Sequence, residues 1–111
     1  DYWVDIQEIS DVEDAQAMPS AYKLHPNIPN PFNPGTRLSY DLPTASNVRL
    51  TVYNLMGQEI RSLVSGQQSA GQHTVIWDGC DAYGRLVPGG IYFARFKTGD
   101  YQASQKLLLL K

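Results

Sequence analysis

The chain has 111 residues, of which 42% are hydrophobic and 18% are charged, which suits a single domain with one hydrophobic core. These proportions exclude an intrinsically disordered chain, and no stretch approaches the ~20 apolar residues that span a bilayer. The net charge is −2, but residues 1–20 carry six acids and no base, so residues 21–111 carry +4. This positive charge is too small and too dispersed to indicate a nucleic-acid-binding surface.

Residues 1–21 are predicted to combine the end of a preceding domain with an acidic linker. Residues 1–9 alternate between apolar and polar side chains, as in the end of a strand. Residues 10–21 are acidic and small, which favours a linker, although Ser10 and Glu13 have the spacing of a helix capping box. The first residues lack the pattern of a signal peptide, so we expect any export signal to lie upstream.

A proline-dense segment follows at residues 25–35. Its four prolines exclude a helix and remove four backbone donors, so the segment must be extended or form a series of turns. Ile28 and Phe32 are its two large apolar side chains, and we expect them to attach the segment to the edge of the core.

From residue 36 onward, apolar and polar side chains alternate with the period of a β-strand. Glycine- and proline-containing turns separate the runs, and no long stretch has the period of a helix. Over residues 22–111 the pattern predicts an all-β, antiparallel immunoglobulin- or fibronectin-like β-sandwich of about seven strands with no substantial helix. The clearest runs are residues 36–42, 47–53, 58–64, 72–77, 90–98 and 101–110.

The same alternation predicts which side chains enter the core and which face solvent. Arg37, Arg49 and Arg61 alternate outward on neighbouring predicted strands, which fits a basic patch or three separately solvated residues. The side chains expected inside are Leu38, Tyr40, Leu42, Val48, Leu50, Val52, Tyr92 and Phe96.

The loop after Trp77 is the most chemically suggestive stretch of the chain. Asp78 and Asp81 stand beside Gly79 and Gly84, and their carboxylates are well placed to accept bonds from loop amides and hold a tight turn. A weakly bound Ca²⁺ ion is the alternative, although two acids rarely suffice for calcium and the spacing is not that of an EF-hand. No other metal or cofactor is predicted.

No set of residues is predicted to be catalytic. Cys80 and His73 are candidates for a nucleophile and its base, but the sequence offers no third group to orient them and no oxyanion site. Aromatic residues make up 11% of the chain and would suit a carbohydrate-binding face, but core packing accounts for most of them. A non-enzymatic domain is therefore expected.

The chain ends in an unusually apolar segment. Four consecutive leucines lie between two lysines, in the order Lys106, Leu107, Leu108, Leu109, Leu110 and Lys111. This pattern is compatible with a last strand that is covered on both faces, and equally with an exposed recognition signal that invites strand pairing.

Several motifs together resemble the C-terminal sorting domain of the type IX secretion system, type A. They are the segments 27–34, 38–43, 48–60, 70–73, 77–84, 90–93 and 106–111, which occur in the expected order. The resemblance covers about residues 22–111. The immunoglobulin-like domain of the flagellar hook-capping protein is a related group that shares the Trp-Asp-Gly pattern. Ile28, Pro26 and Cys80 depart from residues that are usual in the sorting family.

The resemblance implies a non-catalytic sorting and anchoring role. Such domains direct a larger exported protein, attached upstream in the same chain, from the periplasm through an outer-membrane translocon to the cell surface or the medium. A sortase-like cysteine peptidase commonly removes the domain, here by a cut expected in residues 10–21. The candidate sorting residues are Lys106–Lys111 together with Asn30, Pro31, Phe32, Asn33 and Pro34.

Two other functions stay open at the level of the sequence. One is an accessory carbohydrate- or surface-binding module, and the other is an extracellular domain that assembles through the edges of its sheets. Neither binds nucleic acid, and neither spans a membrane.

Overall fold

Residues 19–110 are described by a computed structural model, in which they form seven β-strands and no helix. The predicted all-β class and the number of strands are confirmed. The strands are β1 Lys23–Leu24, β2 Thr36–Leu42, β3 Ser46–Asn54, β4 Glu59–Gln68, β5 Gly71–Trp77, β6 Gly90–Thr98 and β7 Tyr101–Leu109. Accordingly, no helix in this part of the chain is long and apolar enough to cross a membrane.

The strands form two antiparallel sheets that pack face to face. One sheet has three strands in the order β1-β2-β5, and the other has four in the order β4-β3-β6-β7. β4 is longer than predicted because Gly66 lies inside the strand, paired with Val48, and not in a turn. The reversal comes later, at residues 69–70, and places β5 in the other sheet.

The core lies between the two sheets and follows the predicted alternation. Each large apolar side chain that is buried in this core stabilises the fold by roughly 1.5–3 kcal/mol before the loss of chain entropy is counted. The fully or nearly fully buried hydrophobic residues are Phe32, Leu38, Tyr40, Leu42, Val48, Leu50, Val52, Trp77, Val87, Tyr92, Ala94, Phe96, Leu107 and Leu109.

Trp77 is the largest side chain in this core. Its indole ring lies 5.6 Å from the Phe32 ring and 5.4 Å from the Tyr92 ring, and its Nε1 donates a hydrogen bond of 2.9 Å to the Cys80 carbonyl. The tilted and edge-on ring geometries are those that aromatic pairs prefer. Trp77 therefore joins the proline-dense segment, β5 and β6 at one end of the sandwich.

Of the two alternatives for Arg37, Arg49 and Arg61, the basic patch does not form. β2 and β3 follow each other in sequence but belong to different sheets, so Arg37 and Arg49 lie on opposite outer faces of the sandwich. Arg61 is engaged elsewhere, since its guanidinium lies 3.2 Å from the Asp78 carboxylate. The alternation gave the correct outward direction for Arg37 and Arg49 but could not assign them to sheets.

Candidate functional site

One end of the sandwich, which we name the loop pole, brings together the motifs noted in the sequence. The strand register sets this arrangement, because Thr36 pairs with Trp77 at one end of the smaller sheet, while Asn54 pairs with Tyr92 in the larger one. The ring contact between Trp77 and Tyr92 places both sheet ends on the same side. The loop pole consists of residues 25–35, 54–59, 78–90 and 106–110.

The proline-dense segment covers the C-terminal end of the outer edge of β7, from Lys106 to Leu110. The Leu108 amide donates to Asn30 Oδ1 over 3.1 Å, and Asn30 Nδ2 donates to the Lys106 carbonyl over 3.3 Å. Two backbone hydrogen bonds follow, from the Phe32 amide to the Leu108 carbonyl at 3.0 Å and from the Leu110 amide to the Phe32 carbonyl at 2.8 Å. The segment thus satisfies backbone groups that an edge strand would otherwise leave open.

The leucine-rich end combines both arrangements that the sequence left open. Leu107 and Leu109 are 0% and 3% exposed and belong to the core, and Leu108 is half-buried. Leu110 lies beyond the end of β7 and is 48% exposed. The segment is therefore a docked strand that ends in an exposed apolar side chain, and Lys111 lies outside the described residues.

The remaining candidate sorting residues surround this strand end. Phe32 is 2% exposed and packs on Trp77, so it anchors the segment and does not offer its ring to solvent. Its neighbours in the motif point the other way: the exposed residues are Asn30, Pro31, Asn33, Pro34 and Lys106.

Asp78 and Asp81 hold the loop after β5 in place. Asp78 Oδ1 accepts the Cys80 amide at 3.0 Å and lies 3.2 Å from Arg61 Nη1. Asp81 Oδ1 accepts the amides of Tyr83 and Arg85 at 2.9 and 3.0 Å. These bonds, led by the one from the Arg85 amide, hold the pKa of Asp81 below its ordinary value of 3.8. This is the arrangement expected of carboxylates that stabilise a turn.

Gly79 connects this loop to the proline-dense segment. Its φ of +81° lies in the left-handed region, and a Cβ added here would stand 3.3 Å from the Pro34 carbonyl oxygen and 3.4 Å from the Pro34 Cβ. Glycine therefore meets two requirements at once, a backbone conformation and a close approach. The Trp-Asp-Gly motif and the Asn-Pro-Phe-Asn-Pro motif pack directly against each other.

Besides the N–H donors of the loop, the carboxylates of Asp78 and Asp81 each have an arginine side chain beside them: Arg61 lies 3.2 Å from Asp78, and Arg85 Nε lies 3.3 Å from Asp81 Oδ2. Within residues 19–110, no three His, Cys, Asp or Glu side chains come together in a group that would hold a metal. The calcium ion suggested by the sequence stays a prediction.

Cys80 and His73 have separate structural surroundings. Burial, with a contribution from the Asp78 charge, raises the pKa of the Cys80 thiol, which favours the unreactive protonated form. His73 Nε2 lies 2.7 Å from the Ser69 carbonyl, and the ring stacks on Tyr40 at 5.3 Å. His73 thus has structural partners of its own.

Most aromatic side chains of residues 19–110 are buried or half-buried. Tyr83 is the only one among residues 19–110 that is largely exposed, while Tyr53 and Phe93 are half-buried on the outer face of the four-stranded sheet. This surface has no extended planar strip of aromatic rings.

The loop pole also collects exposed apolar side chains, most of which the sequence did not mark. The exceptions are Leu110 and Ile28, and Ile28, expected to attach its segment to the edge of the core, is instead 65% exposed. All large hydrophobic residues that are largely exposed in residues 19–110 lie in this pole or next to it. Scattered exposed apolar residues are normal, whereas their concentration at one end is typical of an interaction surface. They are Ile28, Leu55, Met56, Ile76, Tyr83, Leu86 and Leu110. For two of them the sequence does contain an indication, since Leu55 and Met56 are consecutive apolar residues in a turn, where side chains are usually exposed.

The sequence model of the FlgD Ig-like domain matches residues 28–102, about two-thirds of the chain. The chain belongs to this family. The match confirms the immunoglobulin-like relation expected from the motifs, and it includes the Asn-Pro-Phe-Asn-Pro segment. The leucine-rich end of this FlgD Ig-like domain lies beyond the matched residues.

Solved structures share the fold of this FlgD Ig-like domain. FlgD from P. aeruginosa is 32% identical with a TM-score of 0.53, over 63% of this chain and 57% of that one. Dimeric latent PorU from Porphyromonas gingivalis has a TM-score of 0.65 at 18% identity, over 91% of this chain but 10% of PorU. The alkylpurine DNA glycosylase AlkC from Pseudomonas fluorescens, bound to DNA, has a TM-score of 0.51 at 16% identity, over 81% and 30% of the two chains.

The chain therefore spans a tenth of PorU and somewhat more than half of FlgD. At identities below one fifth, the likeness to PorU and AlkC concerns the fold alone. No curated protein sequence matches this FlgD Ig-like domain significantly.

Asn30→Ala should loosen the end of β7 without unfolding the sandwich. The substitution removes two hydrogen bonds to the strand edge, including the one that protects the Leu108 amide. We expect hydrogen exchange of this amide to accelerate by roughly tenfold, as for the loss of about one hydrogen bond. Exchange at Leu50, on central strand β3, should stay unchanged, and equal acceleration at both amides would contradict a local role.

Asp81→Asn should change the pH dependence of stability. Because the folded domain holds the pKa of Asp81 below 3.8, the ionised carboxylate stabilises the fold above that pH and loses this effect as pH falls. We expect wild type to be the more stable protein at pH 7 and the difference to shrink below about pH 4. Urea denaturation at about pH 7 and below about pH 4 measures the difference in the free energy of unfolding, with Asp100→Asn as the charge-matched control. A difference that does not change with pH would refute the role assigned to Asp81.

Proposed function

We propose that this domain is a non-catalytic sorting and anchoring signal. It directs a larger exported protein, carried upstream in the same chain, through the type IX outer-membrane translocon to the cell surface or the medium. The support comes from the resemblance of its motifs to the C-terminal sorting family and from the way the fold assembles those motifs. Its partners in this role are the translocon and a sortase-like cysteine peptidase, and its route passes through the periplasm.

The clamp of Asn30 on the last strand carries the proposal. The hydrogen bonds from Asn30 join residues that are 76 and 78 positions apart in the chain. The two segments that the resemblance marks as sorting residues thereby form one continuous surface, which ends at the exposed Leu110 side chain. A receptor that binds this surface contacts both motifs at once, and it can do so only when the domain is folded.

The loop pole suits recognition better than chemistry. Its exposed features are apolar side chains, and its carboxylates already accept N–H donors within the loop. A partner that covers these apolar side chains gains the free energy of removing them from water. In this proposal, the reaction that removes the domain belongs to the peptidase, and the activity of the exported protein belongs to its upstream domains.

Leu110→Ser should prevent sorting while leaving the fold intact. The 111-residue chain is fused behind a signal peptide and a fluorescent reporter and expressed in a host with type IX machinery. Leu110 is largely exposed, unlike Leu107 and Leu109, whose removal by truncation would open the core. We expect reporter in the medium or at the cell surface for wild type, and reporter retained in the periplasm for the variant.

Leu86→Ser is the matched control, since Leu86 is an exposed leucine of the same pole that lies outside the sorting motifs. It should be sorted like wild type. Periplasmic protease resistance checks that each retained protein is folded. Normal export of Leu110→Ser, or retention of wild type, would refute the proposed function.

A second candidate, an extracellular assembly domain, is favoured by the uncovered edge of β5. Arg37 of β2 exchanges two backbone hydrogen bonds with Ile28, on the side of β2 that faces away from β5. Because backbone groups alternate in direction along a strand, the residues of β2 that bond to β5 are Thr36, Leu38, Tyr40 and Leu42. The backbone groups of β5 that point away from β2 are then those of Gln72, Thr74 and Ile76. Among the described residues, none forms a backbone hydrogen bond with this edge.

Each of the other edges has a safeguard that β5 lacks. β1 has two residues, the β3–β4 pairing has two register shifts, and the proline-dense segment covers the end of β7 from Lys106 to Leu110. β5 has seven residues, no charge and no proline, and it pairs with β2 without a register shift. Natural edge strands usually carry such safeguards against pairing. A second copy could therefore add its own β5 in antiparallel fashion, with Thr74 at the two-fold axis.

Thr74→Lys should prevent this assembly. Two lysines would then face each other across the axis, and like charges directly opposite are unfavourable. Sedimentation equilibrium of the full chain should show concentration-dependent dimers for wild type and monomers for the variant. Ser39→Lys introduces the same charge on the same face but on the inner strand β2, and it should leave dimers unchanged. Monomeric wild type at millimolar concentration would exclude the assembly function.

A further inference from the structure

The outer face of the four-stranded sheet carries a group of basic side chains at its centre. Arg49 of β3 lies directly opposite Lys97 of β6, and Arg95 follows two residues away on the same face of β6, opposite Thr51. All three basic side chains are exposed. Side chains at these positions point away from the core, because their neighbours Leu50 and Phe96 are fully buried.

This arrangement costs stability. Like charges that face each other across an antiparallel pair repel, because their Cβ atoms are only about 5 Å apart. None of the three basic groups lies within 4.0 Å of an acidic oxygen among residues 19–110, whereas His25, Arg61 and Arg85 each have such a neighbour. The repulsion between Arg49 and Lys97 is therefore not compensated within the described domain, and an anion bound between them would relieve it.

Two shallow depressions lie side by side on this face. The first, of about 300 Å³, is lined by Asn47, Arg49 and Lys97 and by the turn that follows β6. The second, of about 420 Å³, is lined by Tyr53 and Phe93 together with Arg95. The Arg95 guanidinium lies 5.4 Å from the centre of the Tyr53 ring, which fixes this cation beside the aromatic surface.

We propose that this face binds an acidic polysaccharide. Arg49 and Lys97 hold a carboxylate or sulfate group of the polymer, with the Arg49 guanidinium able to bond both oxygens. The half-buried Phe93 ring and the free side of the Tyr53 ring offer flat apolar surface to the C–H face of the adjoining sugar. Arg95, about 7 Å along the strand from Lys97, meets the next acidic group.

The position of these residues argues against an acidic peptide as the occupant. Extended peptides bind sheets chiefly by adding a strand at an edge, where backbone groups are open. β3 and β6 are the two central strands of their sheet, and each is paired on both sides. A polymer that lies across this face must be held by side chains alone, and these side chains combine cations with aromatic rings.

The test is binding of polygalacturonate to the full 111-residue chain, measured by isothermal titration at low ionic strength. We expect binding by wild type and a loss of roughly tenfold or more in affinity for the Arg49→Ala/Lys97→Ala double variant, since two charge-assisted contacts are removed. Arg37→Ala removes an exposed cation from the other sheet and should stay within about twofold of wild type. Neutral dextran should not bind.

Lys97→Glu provides a second readout, because it replaces the repulsion from Arg49 with an attraction. It should raise the midpoint of thermal unfolding and prevent polygalacturonate binding. A lower midpoint would contradict the stability cost on which the inference depends. The proposal is also overturned by absence of wild-type binding, by binding of neutral dextran, by equal losses in the Arg37 and Arg49/Lys97 variants, or by equally tight binding of poly-L-glutamate, which would indicate an acidic-peptide surface.

Discussion

The burial of Trp77 against Phe32 and Tyr92 is the interaction on which the loop pole depends. Trp77 ends a strand of one sheet, Tyr92 lies near the start of a strand of the other, and Phe32 comes from a segment with almost no regular structure. Since the indole Nε1 also binds the Cys80 carbonyl, the same side chain fixes the start of the aspartate-containing loop. One aromatic cluster therefore aligns both sheets and attaches two loops that could not fold independently.

The proline-dense segment gains its order from this cluster and from Asn30. Prolines cannot donate to a sheet ladder, so residues 29–34 cannot continue as a normal strand along β7. The Asn30 amide side chain takes over part of that role, because its Oδ1 accepts the Leu108 amide and its Nδ2 donates to the Lys106 carbonyl. The result is an edge that is closed to other chains near Leu108, next to a side chain, Leu110, that remains available. The contact between the proline-dense segment and the end of β7 thus closes the strand edge and leaves the Leu110 side chain exposed.

Two features of the surface of the sandwich, one at an edge and one on an outer face, do not contribute to the stability of the fold. An uncharged edge strand invites pairing with other chains, and two opposed cations lower the stability of a small domain, whose net stability is only about 5–15 kcal/mol. Such departures from local consistency are where function is expected in natural proteins. These two departures mark the β5 edge and the basic face around Arg49 and Lys97, and the exposed apolar side chains mark the loop pole as a third surface.

The sequence by itself determined six of the seven strands in residues 19–110 and the direction of most of their side chains, whereas the short strand Lys23–Leu24 was not predicted. Alternation is a local property of the extended backbone, so the inward positions of Leu38, Val48 and Phe96 follow directly from it. Glycine and aspartate likewise indicated the turn at residues 78–84, because their turn chemistry acts over a few bonds. Only the tertiary structure decided which sheet each strand joins, and therefore that Arg37 and Arg49 lie on opposite faces while Arg49 and Lys97 meet. It also decided that Asn30 reaches Leu108, since contacts between residues so distant in the chain depend on the packing of the whole core and leave no periodic trace in the sequence.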